Sequence, residues 1–253
     1  MSEPRDRIRA AIEGSDGPAL VAFVTAGYPS RDRFLDDLAA VARSADVVEI
    51  GVPFSDPMAD GVTIQRSSRV AIENGVSLRW ILYELRKRTG QLSAPIVLMS
   101  YLNPLLVYGF DRLAEDALEA GVDGFIVPDL PMEESASLLG ALSRRALALI
   151  QLVTPATPEQ RLAELAQAGS GFVYAVTRTG TTGSGGMAPG LSGYLEAVRR
   201  VSDLPVCAGF GVRTQSHVVE IGRHADGVIV GSALIEVLER GDDPAAFLTS
   251  LRG

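Results

Sequence analysis

Soft ligands are scarce in this chain: its 253 residues include one cysteine, Cys207, and two histidines, His217 and His224. A single thiol excludes an internal disulfide, and no Cys/His cluster is spaced for a structural zinc. Basic charge is also short, with 23 Lys and Arg against 31 Asp and Glu for a net charge of −8. That balance leaves no basic face on which nucleic acid or an anionic membrane would settle. Long apolar runs are missing too. None approaches the roughly 20 residues that span a bilayer, and the charged start "MSEPRDRIRAAIEGSDG" has no apolar signal core. These absences point to a reduced, metal-free chain in the cytoplasm.

Apolar residues make up 47% of the chain, enough for a sizeable core in one domain spanning 1–253. Eight short β-rich runs alternate with longer amphipathic segments, the pattern of repeated βα units around a parallel sheet. The runs are 19–25, 47–50, 95–100, 124–128, 147–153, 171–177, 204–210 and 227–233, apolar on both faces as buried parallel strands are. Helical spacing recurs at 32–43, 62–72, 78–89, 111–119, 133–145, 158–168, 192–201 and 214–222, with a last helix from about Pro244. "SADVVEI", "GVDGFIV" and "HADGVIV" each set an aspartate just ahead of a strand, as if one αβ corner recurred around a closed ring. Eight βα units in this length predict a (β/α)8 TIM barrel, with a short N-terminal helix and extra helices in the loops. "AGYPS" after the first strand rules against a dinucleotide fold.

In such a barrel the chemistry sits at the C-terminal ends of the strands. Two kinds of site emerge there. One is a glycine-rich set after the last three strands: Gly180 and Gly183, Gly209 and Gly211, then Gly231 with Ser232. Backbone N–H groups bared by glycine, with the positive end of a short helix starting near Ser232, suit a phosphate dianion, while the competing reading of each glycine is the conformational need of an αβ corner. The other is acidic. If Val48 and Ile50 face the helices, alternation turns Glu49 into the barrel mouth, where apolar walls raise its pKa and suit it to proton transfer. A structural acid paired with a buried arginine or hydroxyl is the competing reading. Asp60 lies on the excursion "GVPFSDPMADG"; it reads equally as a second site acid or as a cap for the next helix, and Asp56 as a turn residue before Pro57.

"VEIGVPFSDPMADG" at 48–61, "MSYLNP" at 99–104, "VPDLPMEES" at 127–135, "TRTGTTG" at 177–183, "GFGV" at 209–212 and "DGVIVGSA" at 226–233 together resemble the tryptophan synthase alpha subunit family over essentially the whole chain. The resemblance implies retro-aldol cleavage of indole-3-glycerol phosphate to indole and glyceraldehyde 3-phosphate. It implies no metal or cofactor in this subunit, and a pyridoxal-phosphate-dependent beta subunit as partner in an alpha2beta2 heterotetramer. Glu49 takes the role of proton donor and acceptor, and Asp60 that of the carboxylate near the indole nitrogen. Phe23, Leu98, Tyr101, Asp129, Leu152, Tyr174, Thr182 and Phe210 fall on substrate-binding positions, with Thr182 docking against the Asp60 loop. For Leu98, Leu152 and Phe210 ordinary barrel core remains an equal alternative. Gly183, Gly211, Gly231 and Ser232 fall on phosphate-binding positions, and Asp56, Pro57, Asn103 and Pro131 on the face toward the beta subunit. Thr181 stands where the family more often has valine, and "GSGGMAPG" at 183–190 is richer in glycine, which implies a more mobile closing loop. Cys207 and both histidines read as structural or surface residues. A non-catalytic activator of the beta subunit and a different phosphate-binding barrel enzyme are the two competing functions.

Overall fold

Strands that are apolar on both faces have to be covered twice, by side chains inside the sheet and by helices outside it. The computed structural model, which describes residues 3–177, 190–209 and 211–252, meets that demand by closing the sheet on itself. The strands are β1 (Ala19–Thr25), β2 (Val47–Gly51), β3 (Ile96–Met99), β4 (Val122–Ile126), β5 (Ala148–Val153), β6 (Val173–Val176), β7 (Val206–Gly209) and β8 (Gly227–Val230). All are parallel and run in order around a closed barrel, β8 pairing back onto β1 from Ala19↔Gly227 to Ala22↔Val230. The predicted fold is the observed one.

The helices are α1 (Pro4–Glu13), α2 (Phe34–Ala42), α3 (Val62–Glu73), α4 (Leu78–Arg86), α5 (Leu102–Tyr108), α6 (Phe110–Glu119), α7 (Ala136–Ser143), α8 (Glu159–Ala168), α9 (Leu191–Val201), α10 (Gln215–Gly222), α11 (Ser232–Arg240) and α12 (Pro244–Arg252). Alternate residues of each strand divide between two apolar layers. Leu20, Ala22, Val24, Val48 and Ile50 pack outward against the helices. Val21, Val47, Val97, Ile126, Ile150, Cys207 and Ile229 fill the barrel, and Ile8 and Ile12 of α1 join them.

The repeated aspartate has a physical role. Asp46 accepts the Leu20 N–H at 2.7 Å, Asp123 the Ile96 N–H at 2.8 Å, and Asp226 the Val206 N–H at 2.8 Å. Each carboxylate thus ties its own strand to the start of the preceding one, and each pairs with an arginine: Arg252, Arg7 and Arg199 respectively. Strand ends differ from the expectation by a few residues. β4 begins at Val122 instead of 124, and β8 stops at Val230 instead of 233 because Gly231 turns the chain into α11. Helix α5 was not foreseen; its Pro104 lies in the first turn, where a missing N–H costs nothing. The region expected as one helix from 133 splits into a 3₁₀ turn at Met132–Glu134 and α7.

Candidate functional site

Glu49 lies in the middle of β2, opposite Phe23 of β1 and Val97 of β3. Its neighbours Val48 and Ile50 are in the outer layer, so its carboxyl points into the barrel above Val47. It is wholly buried, and neither carboxyl oxygen has a hydrogen-bond partner among the described residues. A structural glutamate would be paired. Desolvation, with the charge of Asp60 as the lesser cause, raises its pKa from 4.5 to about 8. The carboxyl is therefore protonated at neutral pH.

The wall beside it depends on a glycine. A Cβ at Gly51 would lie 2.5 Å from Phe23 Cζ, so the bare backbone at the end of β2 is what admits that ring. Across the barrel, Tyr174 of β6 lies over Gly209, where a Cβ would meet the ring at 2.7 Å. Gly209, read from the sequence as part of a phosphate set, thus makes room for Tyr174. Burial, Glu49 and Asp60 all push the Tyr174 phenol well above its ordinary pKa.

Asp60 stands on the chain between β2 and α3, over the same mouth. The N-cap of α3 is Gly61 with no side-chain cap, so the capping alternative for Asp60 fails. The Asp60 carboxylate instead accepts from the Tyr101 hydroxyl at 3.3 Å, and its backbone carbonyl accepts from Gln65 Nε2 at 2.9 Å. Burial raises its pKa to about 6, against the lowering effect of the Tyr101 bond. Helix α3 behind it is fixed by a 2.6 Å hydrogen bond between Thr25 and Ser67 and by an Arg66–Glu239 ion pair to α11. Two carboxyl groups of unequal pKa thus lie close enough at the barrel mouth to act on each other electrostatically, the arrangement in which one donates a proton while the other holds negative charge.

The remaining sequence-derived residues divide. Phe23, Tyr101, Leu152 and Tyr174 all border the mouth or the inner layer. Leu98 does not. It is fully buried in the outer layer, and its neighbour Met99 packs against both the inner layer and the Phe23 cluster. The inward position on β3 belongs to Met99, and counting by two from Val97 would have found it. Asp129 is exposed, and its Oδ1 accepts the Leu102 N–H at 2.8 Å at the start of α5. Thr182, Gly183 and Phe210, with the glycine-rich segment that carries Thr181, lie outside the described residues.

α11 starts at Ser232 with Gly231 as its N-cap, a residue that has no side chain to cap the first turn. Gly211 is exposed in the loop after β7. Asp56, Asn103 and Pro131 are exposed and Pro57 half-buried; they lie on the β2–α3 loop, the first turn of α5 and the loop after β4, three segments joined by the Tyr101 and Asp129 hydrogen bonds. Cys207 is buried in the inner layer, His224 pairs with Glu196, and His217 accepts from the Arg213 N–H. Among the described residues no group of His, Cys, Asp and Glu is disposed to hold a metal, and no helix is long and apolar enough to cross a membrane.

Known proteins resemble this chain in sequence and fold along nearly its full length. Residues 10–251 match the Tryptophan synthase alpha chain family. The tryptophan synthase alpha chain of Solidesulfovibrio magneticus is 48% identical over 237 residues, 93% of this chain and 93% of that one. That of Bacillus cereus is 44% identical over 241 residues, 92% of this chain and 91% of its own length. A structure of Mycobacterium tuberculosis tryptophan synthase matches with a TM-score of 0.90 at 35% identity, covering 99% of this chain and 97% of that one. The tryptophan synthase alpha chain of Legionella pneumophila matches with a TM-score of 0.87 at 32% identity, covering 100% and 97%. A family match that spans the barrel from α1 to α12, supported by relatives of this identity, makes the chain a member of the tryptophan synthase alpha chain family.

Proposed function

We propose that this chain is a carbon–carbon lyase that cleaves indole-3-glycerol phosphate to indole and glyceraldehyde 3-phosphate in the cytoplasm. The observation that carries the proposal is the buried carboxyl of Glu49, without a hydrogen-bond partner among the described residues and protonated at neutral pH beside a second acid of lower pKa. Breaking the bond between indole C3 and the glycerol chain requires a proton on C3 and loss of the proton from the adjacent hydroxyl. Glu49 supplies the first and, once ionised, accepts the second, so the carbonyl forms as the C–C bond breaks and the acid is regenerated. C3 protonation puts positive charge on the indole ring. An ionised Asp60 near the ring nitrogen stabilises it as it develops. Phe23, Met99, Leu152 and Tyr174 supply apolar surface for the ring, and the uncapped start of α11 with Gly211 suits the phosphate.

The indole itself serves as electron sink, so the step calls on no cofactor in this chain. The product passes in this reading to a pyridoxal-phosphate-dependent beta subunit within an alpha2beta2 assembly. Large apolar side chains stand exposed beside Asp56, Pro57 and Asn103, namely Met58 at 90%, Val62 at 80% and Val107 at 83%, as suits a face covered by a partner. The test is indole release from indole-3-glycerol phosphate by wild type and by Glu49→Gln, with and without a beta subunit. Wild type should turn over and Glu49→Gln should lose about 10²–10⁴-fold in kcat. No turnover by wild type in either condition overturns the activity; full activity in Glu49→Gln overturns the mechanism.

A further inference from the structure

One tyrosine grips both ends of the loop that presents Asp60. Its ring stacks on Phe54 with centroids 5.0 Å apart and 25° between planes. Its hydroxyl accepts the Ala59 N–H at 2.9 Å and donates to Asp60 Oδ2 at 3.3 Å. Between those contacts the chain has no helix or strand, and Ser55, Asp56 and Met58 are exposed. Among the described residues the one other side chain that bonds this segment from outside is Gln65 of α3, whose Nε2 donates to the Pro57 carbonyl at 3.5 Å and the Asp60 carbonyl at 2.9 Å; it reaches the backbone and leaves the Asp60 carboxylate to Tyr101.

Tyr101 is itself anchored to the barrel. It is 8% exposed. Its carbonyl accepts from the Ser100 hydroxyl at 2.9 Å, the Ser100 N–H donates to Ile126 at the end of β4 at 3.0 Å, and the Leu102 N–H is held by Asp129. We infer that Tyr101 is a positioning residue for the proposed cleavage, fixing the Asp60 loop from the rigid barrel and directing its hydroxyl proton to the Asp60 carboxylate. This deepens the reading of Asp60 given above and rests on it.

The hydroxyl has one proton and, with the Ala59 N–H on one lone pair, that proton goes to Asp60. A carboxylate accepts it better than a carboxylic acid does, so the bond favours ionised Asp60 against the burial that raises its pKa. The other titratable groups nearby do not replace it. Glu49 on β2 opposes Asp60 electrostatically when charged, Tyr174 on β6 makes no hydrogen bond to Asp60, and Asp129 is engaged with Leu102. Among the described residues, Tyr101 is the sole donor to the Asp60 side chain.

Tyr101→Phe keeps the stacked ring and removes the hydroxyl. Titration of the ¹³C-labelled Asp60 carboxyl by NMR should then move upward by about one pH unit, and the acidic limb of kcat/KM should move with it. At pH 7 kcat should fall roughly tenfold or more. In an Asp60→Asn background the same change should alter the rate less than about twofold, because the two residues act as one unit. A ring-fluorinated tyrosine at position 101 keeps the hydroxyl, makes it a stronger donor, and should move the Asp60 titration downward. A tyrosine that merely lined the pocket would change KM and leave the Asp60 titration where it was. That result, with either variant, overturns the inference. Absence of indole release by wild type would overturn the cleavage reading instead, while the carboxyl titration still decides the role of Tyr101.

Discussion

Replacing Glu49 by glutamine should stabilise the fold, and by an amount that grows with pH. The folded-state pKa is raised from 4.5 to about 8 by full burial, so between those values the folded chain binds a proton that the unfolded chain releases. Stability contributed by the neutral carboxyl is complete below pH 4.5 and is lost progressively as pH rises toward 8. Each pH unit of that window is worth about 1.4 kcal/mol. The whole window is worth roughly 4–5 kcal/mol, an upper figure, since local water entry would relieve part of it. Glutamine has the shape of the neutral acid and does not titrate. Urea unfolding of both proteins should therefore give similar stabilities at pH 5 and a gain of several kcal/mol for Glu49→Gln at pH 9. A difference that stays constant to within about 0.5 kcal/mol from pH 5 to pH 9 would refute the reasoning, because it would mean that Glu49 is not held neutral by its surroundings.

Two further predictions concern the frame around the acids. Gly51→Ala puts a Cβ within 2.5 Å of the Phe23 ring and should displace it, raising KM for the indole substrate and costing about 1–3 kcal/mol of stability; kinetics and urea melts check both, and an unchanged KM argues against Phe23 as a wall of the site. Asp123→Ala orphans the Ile96 N–H and should cost about 2 kcal/mol or more, whereas Arg7→Ala, removing the exposed partner of the same carboxylate, should cost about 0.5 kcal/mol. Equal losses would place the energy in the ion pair instead of the backbone bond.

Much of this was legible along the chain. The period-2 alternation around Glu49 sufficed to aim it inward, since a strand leaves no other choice once Val48 and Ile50 face the helices. The recurring aspartates announced a ring of similar corners. Leu98 shows where transferred positions fail: a shift of one residue in a strand exchanges the inner face for the outer, and Met99 took the place. Asp60 was ambiguous for a related reason. Whether a loop acid caps the next helix or reaches across a cavity depends on where the loop folds back, and no periodicity records that. The same holds for Asp129, whose carboxylate went to the backbone of α5, a helix hidden from pattern reading by its proline.

The sequence by itself determined the eight-unit barrel, the burial of Glu49 and the order of the loops around the mouth, because these follow from alternation and from the rule that both faces of a parallel sheet must be covered. Only the tertiary structure decided that Glu49 has no hydrogen-bond partner among the described residues, that Gly51 and Gly209 admit aromatic rings, and that Tyr101 ties Asp60 to the barrel. Those are contacts between segments about 30 to 40 residues apart. Their geometry is set by how closely the strands approach in the closed ring, and a one-dimensional pattern carries no distance.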